Sequence, residues 1–324
     1  MNPMEKAIRD FGKRFDYVPD ISNKENLRPF KKVVVLGMGG SNLSSGILNI
    51  IDPKLDLYVH RDYGLPQKED SFFSDALIVA SSYSGNTEET ISGLNEALEK
   101  GFNVSVISAD GKMLQIAKEN KLPFIEMPNT KIQPRSALGF SFIALSYLTG
   151  SQIAISAINE IKGKLNADDF ENDGKELAAK ISGKTPIVYT SNKNLAVAYN
   201  WKIKLNETGK IPAFYNVLPE MNHNEMTGFD LNQRTQIYAE RFVPIFIFDD
   251  TDNQRITKRM ETVREIYEGK GIECLSVDFI KGSHIEKIFS ALILGDWIAY
   301  YIAIGNGAEP NEVPMVEDFK KKIS

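Results

Sequence analysis

An α/β fold in two doubly wound domains, each a parallel sheet flanked by helices, is what this sequence predicts, and three observations carry the prediction. Short β-branched runs alternate with longer helical runs from residue 31 to 150. The alternation resumes at Thr185 after a polar connector. With 324 residues the chain has room for two cores, at roughly 150 residues per domain.

The first domain, residues 1–150 with a leading helix, has its strands at 33–36, 55–60, 77–80, 104–108 and 124–127. Such alternation builds right-handed βαβ units. A helix over 88–100 puts Ile91, Leu94, Ala97 and Leu98 on one face, and Gly101 closes it. A helix over 136–147 ends the domain. Residues 151–183 read as a mainly helical connector opening the second domain, 151–324, with strands at 185–190, 215–218, 243–248 and 273–277 and a helix over 195–205. The most apolar stretch, 288–304, is interrupted by Asp296 and reads as a buried helix rather than a membrane span. Val316, Phe319 and Ile323 recur at helical spacing, which predicts a docked tail helix.

A hydrophobic share of 42% and a charged share of 25% are those of an ordinary globular protein, without signs of disorder. Net charge is −5 and the basic residues are scattered, so nothing resembles the positive stripe that nucleic acid demands. The single cysteine, Cys274, makes no internal disulfide and leaves no Cys/His cluster for zinc. Residues 1–14 alternate charged and apolar side chains and lack the apolar core of a signal peptide. These features predict a reducing, cytoplasmic location and no membrane partner.

Two loops stand directly behind apolar strands and ahead of helical sequence: Gly37-Met38-Gly39-Gly40-Ser41-Asn42 and Ser81-Ser82-Tyr83-Ser84-Gly85-Asn86-Thr87. Both place backbone N–H groups and hydroxyls at a helix N-terminus, where an anion is favoured. The first could be a dinucleotide fingerprint, with Asp62 for the ribose, but Asn42 stands where the third glycine belongs, and Ser41 favours a monophosphate. In the second, Ser82 and Ser84 face the same way along an extended segment, and Thr87 adds a hydroxyl from the first helical turn. The plainer reading there is a helix cap with Ser84 as N-cap.

The Ser-Tyr-Ser-Gly-Asn-Thr run at 82–87 resembles the phosphosugar loop of the sugar isomerase (SIS) domain. Gly37-Met-Gly-Gly-Ser41, Pro134-Arg135-Ser136-Ala137, Asn206-Glu207-Thr208-Gly209-Lys210 and Pro219-Glu220-Met-Asn222-His223-Asn224-Glu225 are similar to successive motifs of the bifunctional phosphoglucose/phosphomannose isomerase family. The resemblance spans nearly the whole chain. It implies two SIS-type domains with the active site in the crevice between them, and a homodimer with shared sites. The implied activity is interconversion of glucose 6-phosphate and fructose 6-phosphate, with mannose 6-phosphate as a second hexose 6-phosphate, and no metal or organic cofactor. Such a reaction must hold the phosphate, open the ring, move a proton between C1 and C2, and set a cation near the enediolate.

By the same resemblance Gly40, Ser41, Ser82, Ser84 and Thr87 hold the phosphate, and Arg135 faces the enediolate. Glu207, in a segment read as a loop of small and polar residues, is the base. His223, from the partner subunit, opens the ring, and its neighbours Glu220, Asn222, Asn224 and Glu225 either fix its tautomer or cap a turn. Lys320, beside the buried stripe of the tail helix, assists, with Lys321 and Lys322 as adjacent alternatives. His60 and His284 are weaker candidates. Without the motifs, Glu207 reads as a solvated carboxylate, Arg135 as a surface arginine and Lys320 as part of a solvated basic tail. The family usually carries a threonine just before the tail helix, associated with mannose 6-phosphate; here the chain reads Glu309-Pro310-Asn311-Glu312-Val313-Pro314. Two rival readings are a non-catalytic phosphosugar sensor and an amino-sugar phosphate isomerase.

Overall fold

The computed structural model describes residues 1–323 and divides them into two compact units. One comprises Asp10–Asn166; the other comprises Met1–Arg9 together with the chain from Ala167 onward. The N-terminal helix α1 (Pro3–Arg9) therefore belongs with the C-terminal unit. There Arg9 donates to Asp168 at 2.6 Å and Glu171 at 2.8 Å, and its guanidinium lies 4.9 Å from the centre of the Trp297 ring.

In the N-terminal unit, β1 (Lys32–Leu36), β2 (Leu57–His60), β3 (Ala76–Ser82), β4 (Val104–Ser108) and β5 (Phe124–Glu126) form one parallel sheet of order β2-β1-β3-β4-β5. β1 and β3 are nearly continuous apolar runs because both faces are covered. On one face Val34, Leu36, Ile78 and Ala80 pack against α3 (Glu88–Glu99) and α4 (Lys112–Glu119). α2 (Gly39–Ile51) and α5 (Leu138–Thr149) pack together elsewhere in the unit. The unit continues past residue 150, where the sequence reading closed it. α6 (Gln152–Ile161) is fixed here by Ser151, which accepts the Ala154 N–H and donates to the buried Asp52 at 2.7 Å.

The C-terminal unit repeats the plan with four parallel strands: β6 (Thr185–Ser191), β7 (Phe214–Leu218), β8 (Phe242–Phe248) and β9 (Leu275–Asp278), in the order β7-β6-β8-β9. Its helices are α7 (Glu171–Ile181), α8 (Leu195–Glu207), α9 (Gln254–Gly269), α10 (His284–Gly305) and α11 (Pro314–Ile323). α10 is long and apolar enough to cross a membrane, yet 83% of its apolar window is buried in the protein, so it is a core helix. Asp296, the charge that interrupts it, is matched by the fully buried Lys204 of α8, whose Nζ donates to Asp296 at 2.5 Å and to the Leu292 carbonyl at 3.0 Å.

The tail helix forms where its spacing predicts, and its apolar stripe is left exposed within this chain. No residue of α11 is buried, and Phe319 and Ile323 are 59% and 54% exposed. Apolar periodicity marks a face that favours cover; it does not say that this chain provides it.

Removing one partner of a buried ion pair costs more than removing both. Asp296→Ala should therefore destabilise the protein by about 3 kcal/mol or more in urea unfolding, and Lys204→Met with Asp296→Leu should recover most of that; a double variant no better than the single one contradicts the pairing. Burial pushes the Cys274 thiol up to about 12. Its alkylation at pH 8.5 should run about 10³-fold slower in the native than in the unfolded chain, and rates within a few-fold of each other would count against that burial.

Candidate active site

In each parallel sheet the winding reverses beside the first strand, and side chains at the carboxyl ends of the strands converge there. In the N-terminal unit the place lies between β1 and β3. Beyond β1 the chain turns at once into α2, and a Cβ on Gly40 would stand 2.8 Å from the Arg135 nitrogen and the Pro134 carbonyl carbon. Only glycine admits that approach, and it brings the arginine segment to the first loop. Ser41 is buried, and its Oγ accepts the Tyr83 N–H at 3.0 Å, leaving the hydroxyl proton to donate. The two loops are thus tied together.

The second loop brings its three hydroxyls to one point. Ser82 Oγ lies 2.8 Å from Thr87 Oγ1 and 3.4 Å from Ser84 Oγ. The N-cap of α3 is Thr87, not Ser84, and its side chain makes no capping bond to the helix because it is turned to Ser82. That correction removes the plainer reading of the loop as a simple cap. Gly85 holds φ +70°, and a Cβ there would stand 1.7 Å from the Asp110 carbonyl oxygen. Beneath it Ser108 Oγ donates to the Ser82 carbonyl at 2.7 Å, and the Thr130 N–H donates to the Tyr83 hydroxyl at 3.2 Å. These braces were not read from sequence. The position of Ser108 at the end of the neighbouring strand is the signal that could have found it.

Arg135 occupies the single turn Pro134–Ser136 and is 1% exposed. It is a buried cation placed against Gly40, not a surface arginine. Gly40, Ser41, Ser82, Ser84, Thr87 and Arg135 therefore all belong to the N-terminal unit, with the two loops tied to each other and the arginine backbone packed on Gly40.

The remaining candidates, His60 excepted, lie in the C-terminal unit. Glu207 is the last residue of α8, not part of a loop; it is half-buried, and its carbonyl accepts Lys210 Nζ at 2.6 Å. The small and polar residues after it misled the reading, although a carboxylate on the last helical turn opposes the helix dipole and is not placed there for helix stability. His223, itself exposed, ends the turn Glu220–His223 behind β7. Its neighbours secure that segment rather than the ring: Asn224 donates to Glu220 at 2.9 Å, while Glu225 accepts from the Tyr189 hydroxyl and from Asn216 at 2.6 Å. Lys320 is exposed and pairs with Glu317 at 2.9 Å, and the buried stripe expected beside it is absent. His60 ends β2 within 3.5 Å of the Tyr63 carbonyl, and His284 is the first residue of α10.

Fold and loops together define the class: an SIS-type α/β protein with a hydroxyl-lined crevice where its first sheet reverses. The family model described as the bacterial phospho-glucose isomerase C-terminal SIS domain matches residues 170–323. A relative from Aquifex aeolicus named bifunctional phosphoglucose/phosphomannose isomerase is 31% identical over 100% of this chain and 99% of its own. One of the same name from Thermoplasma acidophilum is 32% identical over 91% and 90%. Among solved structures, glucosamine-6-phosphate deaminase from Thermotoga maritima aligns with a TM-score of 0.69 at 16% identity, over 97% of this chain and 98% of that one, a likeness of fold. The chain belongs to the bifunctional phosphoglucose/phosphomannose isomerase family.

Because Gly85 combines a left-handed φ with a blocked Cβ, Gly85→Ala should destabilise the loop by about 1 kcal/mol or more and weaken inorganic phosphate binding several-fold. Unchanged phosphate affinity by calorimetry would show that the loop does not hold the anion.

Proposed function

We propose that this chain is an aldose–ketose isomerase that interconverts glucose 6-phosphate and fructose 6-phosphate, and mannose 6-phosphate as a second aldose. The observation that carries the reading is the convergence of Ser82, Ser84 and Thr87 on one point, tied to Ser41 and beside buried Arg135, in a chain of this family. The hydroxyls and loop amides hold the phosphate. Glu207 moves the proton between C1 and C2, and Arg135 stabilises the oxyanion of the enediolate. His223, with Lys320, serves the ring oxygen. The reaction shifts a proton and an electron pair within the substrate, so no cofactor is invoked. A phosphorylated hexose places the enzyme in the cytoplasm, at a step shared by glycolysis and gluconeogenesis.

The working form in this proposal is a homodimer with shared sites, and the position of β7 supports it. Glu207 precedes β7 at the amino end of the sheet and His223 follows β7 at the carboxyl end. Five strand residues put about 16 Å between those ends. One sugar does not reach both within the same unit, so a histidine supplied by a second copy resolves the geometry. Ile237 and Tyr238, 66% and 74% exposed shortly after His223, offer apolar surface to such a copy.

Glu207→Gln should lower turnover by about 10³-fold while fructose 6-phosphate still binds with near-normal affinity; near-normal turnover sinks the assignment of the base. Mixing inactive Glu207→Gln and His223→Ala chains should restore about a quarter of wild-type activity, since half the dimers are mixed and each has one intact site. No recovery would falsify the shared site. Binding without deuterium exchange at C2 would instead point to a sensor, and preference for glucosamine 6-phosphate to an amino-sugar isomerase.

A further inference from the structure

The C-terminal unit has its own reversal of winding, between β6 and β8, and hence its own crevice at the carboxyl ends of those strands. The corresponding place in the N-terminal unit is lined by hydroxyls. Here the chain sets a carboxylate in it. The Asp249 side chain has no solvent exposure, yet it accepts Lys193 Nζ at 2.9 Å, Asn194 Nδ2 at 3.1 Å, and the Thr251 hydroxyl and N–H at 2.7 and 3.0 Å. Lys287 Nζ stands 3.6 Å away on the first turn of α10. A cation on that turn opposes the helix dipole, so the carboxylates facing it, and not helix stability, account for its place. Burial disfavours the Asp249 charge, but Lys193, Thr251 and Asn194 outweigh it and hold the carboxyl well below its usual range.

Donors from the loop after β6, the loop after β8 and the start of α10 thus converge on Asp249, as on a phosphate, while Asn194 and Lys193 also face the Asp252 carboxylate at 3.4 and 3.8 Å and Lys287 also pairs with Asp250. His284, on the same first turn, has a buried Nε2 with no hydrogen-bond partner among the described residues. We infer that this crevice is a second oxyanion site that the chain fills with its own Asp249, so that it accepts inorganic phosphate or a phosphate ester only when that carboxylate is removed. Each chain then holds its phosphosugar in the N-terminal unit alone.

The test reads binding, not turnover, and so stands apart from the assignment of Glu207. Thermal unfolding is compared with and without inorganic phosphate, at ionic strength matched with chloride. Asp249→Gly, which removes the charge and opens room, should gain about 3 °C or more beyond the gain of the wild type. Asp249→Asn, which removes the charge but keeps the volume, should gain nothing extra, and adding Lys193→Met to Asp249→Gly should abolish the effect. A folded Asp249→Gly chain that phosphate stabilises no more than wild type overturns the inference; one recovered only when refolded in phosphate supports it. Lys193→Met alone leaves Asp249 with Lys287, Asn194 and Thr251, and it is compared with wild type once circular dichroism shows the same fold. Equilibrium dialysis should find equal phosphate uptake in that variant and wild type, whereas lower uptake in the variant means the crevice was already open and overturns the inference as well.

Discussion

The bond from the Tyr83 amide to the Ser41 hydroxyl is the tie on which the hydroxyl-lined crevice depends. It joins loops from two strands that would otherwise move separately. From it a line of contacts runs back through Gly40 to the Pro134–Arg135 backbone, and forward through Tyr83 to Ser82 and its two hydroxyl neighbours. A single such bond contributes only about 1 kcal/mol net, but leaving the buried amide unmet costs about 1–3 kcal/mol. Its larger effect is geometric: it holds the two loops at a fixed separation. Ser108 reinforces that geometry from the end of the neighbouring strand, and Gly85 from within the loop.

The two units show how little a fold dictates about its crevice. Both are parallel sheets that reverse beside their first strand, and both gather polar groups at that place. One gathers hydroxyls, which contact one another at 2.8 and 3.4 Å. The other gathers two lysines, an asparagine and a threonine around Asp249. The difference lies in a few side chains on equivalent loops.

The C-terminal unit supplies instead the groups at its sheet ends. Glu207 sits at the amino end and His223 at the carboxyl end of β7, and the strand keeps them apart. The buried Lys204–Asp296 pair locks α8 onto α10 one turn before Glu207, so the carboxylate stands on a rigid support although the residues after it look flexible. The exposed apolar stripe of α11 belongs to the same logic: a face patterned for contact that this unit does not itself cover.

The alternation of apolar runs and helical periods settled the two parallel sheets and placed every strand to within two residues, because buried parallel strands and amphipathic helices leave local, periodic signatures. The Ser-Tyr-Ser-Gly-Asn-Thr run likewise announced its hydroxyls, since their convergence follows from adjacent positions in one short segment. The end of the first unit at Asn166, the helical setting of Glu207, the burial of Arg135 and the exposure of the tail helix were decided elsewhere. The first three go with contacts between residues far apart in the chain, Ser151 with Asp52, Lys204 with Asp296 and Gly40 with Arg135, and the fourth with the lack of any buried residue in α11. A sequence by itself determines what each segment favours; only tertiary structure decides which distant surface meets it, because those pairings are set by packing and not by local periodicity.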